Sequence, residues 1–312
     1  MEETIIGGDG YPRPISPNRT RIGWIGTGVM GAAMAGRLLA AGYSLSVYAR
    51  TPSQGAALAA AGAGLASSPA DAAAGSNIVF TMVGHPSDVR SAVLHPITGA
   101  LSALPTGGVL IDHTTSHPSL AREIAAAALA RGCWSIDAPV SGGDVGARDG
   151  KLAIFAGGED AIIQWLTPLW DILGKATAMG GPGSGQSSKI ANQITVGGSL
   201  LGLSEALVFA RAAGLDAGEF LAAVRGGAAG SAAMEIWGDR VIEGDFRPGG
   251  FVEYMVKDLG MGLEDGGEEG SSPAVVPGAA LCRQLYQAMV ANGDGKMGTQ
   301  GLITVIERIN GK

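Results

Sequence analysis

Two short segments carry residue types that belong together chemically: Gly26-Thr27-Gly28-Val29-Met30-Gly31 near the start of the chain, and Gly183-Ser184-Gly185-Gln186-Ser187-Ser188-Lys189-Ile190-Ala191-Asn192 past its middle. The first has GxGxxG spacing. In a dinucleotide site Gly26 permits the tight turn, Gly28 lets the backbone approach a pyrophosphate, and Gly31 allows close helix packing. A helix starting at Val29 turns unpaired N–H groups toward the anion. The bare pattern also arises by chance in glycine-rich chains, where it marks only a turn. Here the apolar stretch Ile22-Gly23-Trp24-Ile25 feeds Gly26, an alanine-rich helical pattern follows at once, and a second apolar stretch comes next, which is the context such a site needs.

The second stretch ends Val47-Tyr48-Ala49-Arg50-Thr51, with no carboxylate where an NAD site carries one for the ribose 2′-hydroxyl. Arg50, with Thr51 beside it, suits a 2′-phosphate instead. NADP(H) is therefore favoured and NAD(H) stays possible; the plain alternative is an exposed arginine at a strand end.

In the later segment Lys189 and Asn192 are three residues apart, so on a helix they share a face. A helical lysine is ordinarily a solvated charge. This one heads an otherwise apolar helix, with no acidic residue at the helical-neighbour positions Gly185, Gln186, Asn192 or Gln193. Desolvation lowers an ammonium pKa, which would let Lys189 exchange a proton near neutral pH. Between the two segments, Asp137-Ala138-Pro139-Val140-Ser141-Gly142-Gly143 follows the apolar Cys133 to Ile136. The Ser141 hydroxyl and the Gly142 and Gly143 amides can converge on a carboxylate, although on this segment alone a plain turn is the favoured reading.

The elements that must position these groups follow from the hydrophobic pattern. From Arg21 to about Met179, short apolar runs alternate with alanine-rich amphipathic stretches, the pattern of a parallel sheet covered by helices. Strands are expected at Arg21 to Ile25, Leu45 to Ala49, Ile78 to Val83, Val109 to Asp112, Cys133 to Asp137 and Leu152 to Ala156. Helices are expected at Val29 to Ala41, Pro118 to Arg131 and Asp160 to Leu173. Past Gly180-Gly181-Pro182-Gly183 the spacing is helical, and Ser187 to Ala213 reads as one long helix with Leu200, Leu203 and Leu207 on a stripe. The expected architecture is α/β: a tail (1–20), a Rossmann-type doubly wound domain (21–184), and an all-helical domain (185–312) joined through the long helix.

Composition narrows the partners. A net charge of −7 argues against nucleic acid, and 46% hydrophobic residues in 312 supply two cores. Gly, Ser, Arg or Asp is expected to interrupt every apolar run before the roughly 18 residues that span a bilayer, so no membrane span is expected. Glu2, Glu3, Asp9 and three prolines in the first twenty residues fit neither a signal nor a transit peptide, which makes the cytoplasm the expected compartment. Cys133 and Cys282 stand alone and read as reduced packing residues. His113 and His117 are followed by Pro118 and lack an HExxH glutamate, so no metal is expected; no GxSxG elbow supports a serine hydrolase.

Taken together and in order, the glycine turn, Asp137 to Gly143, Gly183 to Asn192 and the later Lys257-Asp258-Leu259-Gly260 resemble the β-hydroxyacid dehydrogenase family. That family includes 3-hydroxyisobutyrate dehydrogenases and glyoxylate/succinic semialdehyde reductases. The likeness spans almost the whole chain. The lead Tyr-Pro-Arg-Pro-Ile-Ser-Pro and the C-terminal half look most like the plant 3-hydroxyisobutyrate dehydrogenase-like members.

The resemblance implies that Lys189 is the catalytic lysine and that Ser141, Gly142, Gly143 and Asn192 hold a small carboxylate-bearing substrate. It further implies that Lys257 closes the site beside the nicotinamide, that Thr115 sits near cofactor and substrate, and that Met82 and Val83 line the adenosine side. Three departures stand out: Gln193 where the family often has a second Asn, Val83-Gly84-His85-Pro86 in place of the usual Leu-Pro, and the acidic stretch Glu264 to Pro273, which reads as an inserted solvated loop. A homodimer or homotetramer is expected. The alternatives are an imine reductase and a catalytically silent NADP-binding module.

Overall fold

Residues 13–264 and 274–312 are described by the computed structural model. The alternating first half forms a nine-stranded sheet: β1 (Arg21–Ile25), β2 (Ser44–Tyr48), β3 (Gly64–Leu65), β4 (Ile78–Thr81), β5 (Val109–Asp112), β6 (Trp134–Asp137), β7 (Val140–Ser141), β8 (Leu152–Gly157) and β9 (Gly174–Gly180). The order is β3-β2-β1-β4-β5-β6-β8-β7, with β9 paired to β8. The pairs from β3 through β6 are all parallel, while β8 runs antiparallel to β6 and β7. Strand order therefore reverses between β1 and β4, the switch point at which open sheets of this kind leave a crevice beyond their carboxyl ends.

Side chains alternate across each strand, and both faces are covered. Ile78 and Phe80 of β4 and Val109 and Ile111 of β5 enter one core with Trp24, while Val79 and Leu110 enter the other with Leu101 and Ile124. Burial on both faces explains why the strands read as continuous apolar runs. Predicted and observed strand bounds agree to within two residues at the six expected strands.

Several features differ from the sequence reading. The expected helix Asp160 to Leu173 is two helices, Asp160–Trp165 and Thr167–Leu173, because Pro168 lacks the N–H a continuing helix needs and instead begins the second. β3, β7 and β9 were not expected: β3 and β7 are two residues each, and the glycines and alanines of β9 are largely exposed on the sheet edge and show no apolar alternation. The long helix, Ser184–Ala212, starts three residues earlier than read. By length and composition alone it is apolar enough to cross a membrane, contrary to the expectation for every run, since its Gly and Ser residues are near neutral and do not break it. Its Leu200, Leu203 and Leu207 are buried in a core of their own with Tyr286 and Met289.

The chain divides into two compact units at Lys189/Ile190, inside that helix, where the sequence reading placed a boundary between 184 and 185. The second unit is helical: Ala217–Arg225, Ala232–Glu243, Val252–Glu264, Pro277–Ala291 and Ile303–Ile309 pack with the rest of the long helix. Asp216 and Ser231 cap the first two of these by accepting from the Glu219 and Met234 N–H groups. Tyr286 is fully buried and donates to the Thr299 carbonyl at 3.0 Å. Of the acidic stretch read as a loop, Glu264 ends a helix, and 265–273 lie outside the described residues, as do residues 1–12 of the tail.

Candidate active site

The glycine turn sits at the switch point. Gly26 N donates to the Tyr48 carbonyl at 3.0 Å, and Met82 N donates to the Ile25 carbonyl at 2.9 Å, which brings the end of β4 across the turn. Gly26 has φ +99°, and a Cβ there would be driven into the Met82 carbonyl oxygen, so glycine is required twice over. At Gly31 a Cβ would strike the Gly26 carbonyl, the same oxygen to which the Trp24 indole donates at 2.8 Å. Gly28 is different, for no chain atom lies within 4 Å of a Cβ placed there. It precedes the helix Val29–Ala40, whose N-terminus has no side-chain cap and no acidic residue in its first turn. Open N–H groups at a positive helix end fit a pyrophosphate. Thr27 is buried with its hydroxyl unpartnered among the described residues, Val29 is exposed, and Met30 packs against the first core.

Arg50 is exposed just past β2, and its guanidinium reaches Asp88 at 2.8 Å. The other carboxylate oxygen of Asp88 accepts from the His85 N–H at 3.2 Å, fixing that partner at the start of the helix Pro86–Leu94. Thr51 is exposed and precedes the short 3-10 turn Pro52–Gly55.

The segments after β4 and β5 are tied together. Val83 N donates to the Thr114 hydroxyl at 2.9 Å, and the Asp112 carboxylate accepts from the Thr81 hydroxyl at 2.6 Å and the Thr114 N–H at 3.0 Å. His113 is completely buried against Phe80 and Trp24; a carbonyl only accepts, so its Nδ1 donates to Ala138 O at 2.6 Å, and burial pushes its pKa down to about 4. Thr115 is half-buried beside these groups in the chain.

The start of the long helix is gripped by two buried side chains that sequence reasoning did not single out. Asp137, at the end of β6, accepts from Gly183 N and Gln186 N, each at 2.8 Å, one through each carboxylate oxygen. Burial pushes its pKa up to about 7, opposed by those two N–H groups and reinforced by the neighbouring Asp112. Gln186, with no exposed surface, accepts from the Ser116 N–H at 2.8 Å and donates to the Thr114 carbonyl at 2.8 Å. A Cβ at Gly185 would collide with the Asp137 and Phe155 carbonyls, so this helix start lies directly on the strand ends. Lys189 follows Gln186 by three residues and is only 7% exposed, unlike a solvated surface lysine. The available signal was an aspartate at a strand end coupled with a Gly-Ser-Gly helix start that brings no cap of its own.

Val140 and Ser141 form a short strand rather than a free loop, and Gly142, at φ +133°, turns the chain into the helix Gly143–Asp149. The Ser141 side chain is half-buried and Gly142 exposed. In the second unit the Asn192 amide donates to Gln193 Oε1 at 2.9 Å, and Gln193 Nε2 donates to Asp258 Oδ2 at 2.8 Å. Lys257 Nζ lies 2.9 Å from Asp258 Oδ1, an ionic contact without hydrogen-bond alignment. Among the described residues no group of three His, Cys, Asp or Glu side chains could hold a metal; His117 precedes the helix that Pro118 begins.

Comparison with known proteins decides the family. Residues 21–181 match the family described as the NAD binding domain of 6-phosphogluconate dehydrogenase, and residues 183–306 match the NAD-binding family of NADP-dependent 3-hydroxyisobutyrate dehydrogenase. The chain is 53% identical over 301 residues to the Arabidopsis thaliana "Probable 3-hydroxyisobutyrate dehydrogenase-like 3, mitochondrial", covering 96% of this chain and 92% of the relative. This chain belongs to the β-hydroxyacid dehydrogenase family. It is accordingly an NAD(P)-dependent oxidoreductase acting on CH–OH groups. Within the family, the 2-hydroxy-3-oxopropionate reductase of Escherichia coli is 35% identical, with 92% of this chain and 97% of the relative covered. The solved 3-hydroxyisobutyrate dehydrogenase of Mycobacterium tuberculosis with L-serine superposes with a TM-score of 0.82 at 27% identity, covering 92% and 99% of the two chains.

Proposed function

We propose that the protein interconverts a small β-hydroxyacid and its aldehyde acid with NADP(H), using Lys189 as the proton-exchanging group. When bound, the nicotinamide supplies or accepts the hydride. In reduction, the Lys189 ammonium donates a proton to the oxygen that becomes the hydroxyl; in oxidation, the neutral amine takes it back. Ser141 with the Gly142 and Gly143 amides fixes the substrate carboxylate, Asn192 orients the substrate's polar groups, and Lys257 adds positive charge. Thr115, Met82 and Val83 lie along the cofactor.

One observation carries this reading. Gln186 bonds both to the Thr114 carbonyl and to the Ser116 N–H, while Thr114 bonds to Val83 beside the glycine turn, so a continuous hydrogen-bonded path links the cofactor turn to the helix start that bears Lys189. The relatives' names support the substrate class: a probable 3-hydroxyisobutyrate dehydrogenase-like protein and a 2-hydroxy-3-oxopropionate reductase are both named for short hydroxylated acids.

The test is a spectrophotometric screen of 3-hydroxyisobutyrate, glyoxylate, succinic semialdehyde and tartronate semialdehyde with both nicotinamides. Turnover of at least one, faster with the phosphorylated cofactor, is expected; cofactor binding without turnover of any would favour a silent binding module. Arg50 is the residue proposed to hold the 2′-phosphate. Arg50→Asp should shift kcat/KM toward NAD(H) by about tenfold or more, the scale of one charge-assisted contact. An unchanged NADP(H) preference would remove Arg50 from that role.

A further inference from the structure

The polar chain in the second unit has a direction. Asp258, 4% exposed, can only accept as a carboxylate, so Gln193 must turn its amide nitrogen toward Asp258, as observed at 2.8 Å. That leaves Gln193 Oε1 on the other side, which likewise only accepts, so Asn192 must turn its own nitrogen toward Gln193 at 2.9 Å. The oxygen and nitrogen of an amide are ordinarily interchangeable by rotation. Here the carboxylate at one end removes that freedom, and the Lys257 ammonium 2.9 Å from the other Asp258 oxygen gives the carboxylate a fixed counter-charge.

We propose that Gln193 is a positioning residue that transmits the polarity of Asp258 to Asn192, so that Asn192 presents its carbonyl oxygen outward and recognises a hydrogen-bond donor, the ligand's hydroxyl, rather than its carboxylate. The proposal rests on Asn192 as a substrate contact and sharpens it, since the carboxylate is left to Ser141 and the glycine amides. Position 193 is glutamine here, where the family often has a second asparagine. The extra methylene is what lets one side chain bond both its sequence neighbour and Asp258 on the helix Val252–Glu264.

The test uses the full chain saturated with NADPH, on which a hydroxyacid cannot be oxidised. Dissociation constants of 3-hydroxyisobutyrate and of isobutyrate, which lacks the hydroxyl, are measured by calorimetry for the wild type, Gln193→Met, Asn192→Ala and the double variant. The wild type should favour the hydroxylated ligand by about tenfold, the value of one well-made hydrogen bond. Gln193→Met, close in volume, should lose most of that preference with isobutyrate affinity unchanged, and the double variant should be no worse than Asn192→Ala. Preference retained in Gln193→Met, or losses that add in the double variant, would overturn the proposal. Asp258→Asn frees the amides to rotate and should lower the preference likewise, which covers a Gln193→Met protein that fails to fold.

Side-chain amide exchange by nitrogen-15 NMR reads the chain without substrate. Asn192 amide protons should exchange slowly in the wild type and fast in Gln193→Met. Fast exchange in the wild type overturns the hydrogen-bonded chain itself. Slow exchange without any hydroxyl preference leaves the chain standing and overturns Asn192 as a substrate contact.

Discussion

Two helix N-termini in the first unit meet the same problem in opposite ways. Each begins with backbone N–H groups that its own helix cannot satisfy. The helix Val29–Ala40 leaves its end open: Gly28 faces empty space, and no side chain caps the turn. The helix Ser184–Ala212 has its end closed from within the chain, with both oxygens of Asp137 spent on Gly183 and Gln186. The open end is built to receive a negatively charged ligand. At the closed end a carboxyl of the chain itself already accepts from the N–H groups, and it holds a helix in place instead.

Breaking the open end should have the largest effect on folding. Gly26→Ala forces a side chain to φ +99° and into the Met82 carbonyl, which should cost about 3 kcal/mol of stability, whereas Gly28→Ala, with open space around it, should leave stability nearly unchanged and weaken cofactor binding. Urea unfolding and cofactor fluorescence titration separate the two. Equal destabilisation by both would mean the two glycines do not differ as described.

The closed end is tested next by Gln186→Leu. It leaves the buried Ser116 N–H and Thr114 carbonyl without their partner and should cost about 2 kcal/mol, with turnover falling more than cofactor affinity because the helix start carrying Lys189 loosens. A variant as stable and as active as the wild type would show that the clasp positions nothing.

The closed end also carries a pH dependence at Asp137. Its carboxyl, raised from 3.8 to about 7, keeps a proton in the folded chain where the unfolded chain has lost it. Folding therefore takes up a proton between those values, and stability falls as pH rises through that window. Asp137→Asn cannot titrate, so the melting temperature of the wild type should drop relative to that of the variant from pH 4 to pH 7. A difference that stays constant across the window would show that Asp137 is not buried as a titrating group.

The open end was readable in the sequence and the closed end was not, for a physical reason. A glycine turn is local: strand, Gly26, Gly28 and Gly31 all fall within one short stretch, and each glycine answers a constraint set within a few residues or by the next strand. The cap supplied by Asp137 spans 46 residues to Gly183, and Gln186 reaches across 70 to Ser116, so neither pattern leaves a spacing signal. The same contrast holds for the fold. β4 and β5 alternate buried residues between two covered faces and read clearly, while β9 is an exposed edge of small residues and the break at Leu166 depends on one proline. Resemblance carried the rest: Lys257, Thr115, Met82 and Val83 rest on it alone, and it joins them to Lys189, Asn192 and Ser141, which helix spacing and the glycine loop had already marked.

Both helix ends matter to catalysis only if the closed one delivers Lys189 to the reacting oxygen. The most direct measurement is single-turnover hydride transfer by Lys189→Ala, followed at the reduced-nicotinamide absorbance with the best substrate of the screen, beside cofactor affinity on the same protein. The rate should fall by about 10²- to 10⁴-fold with cofactor affinity nearly kept, the scale of a lost acid–base group. A variant that transfers hydride at close to the wild-type rate would contradict the role given to Lys189.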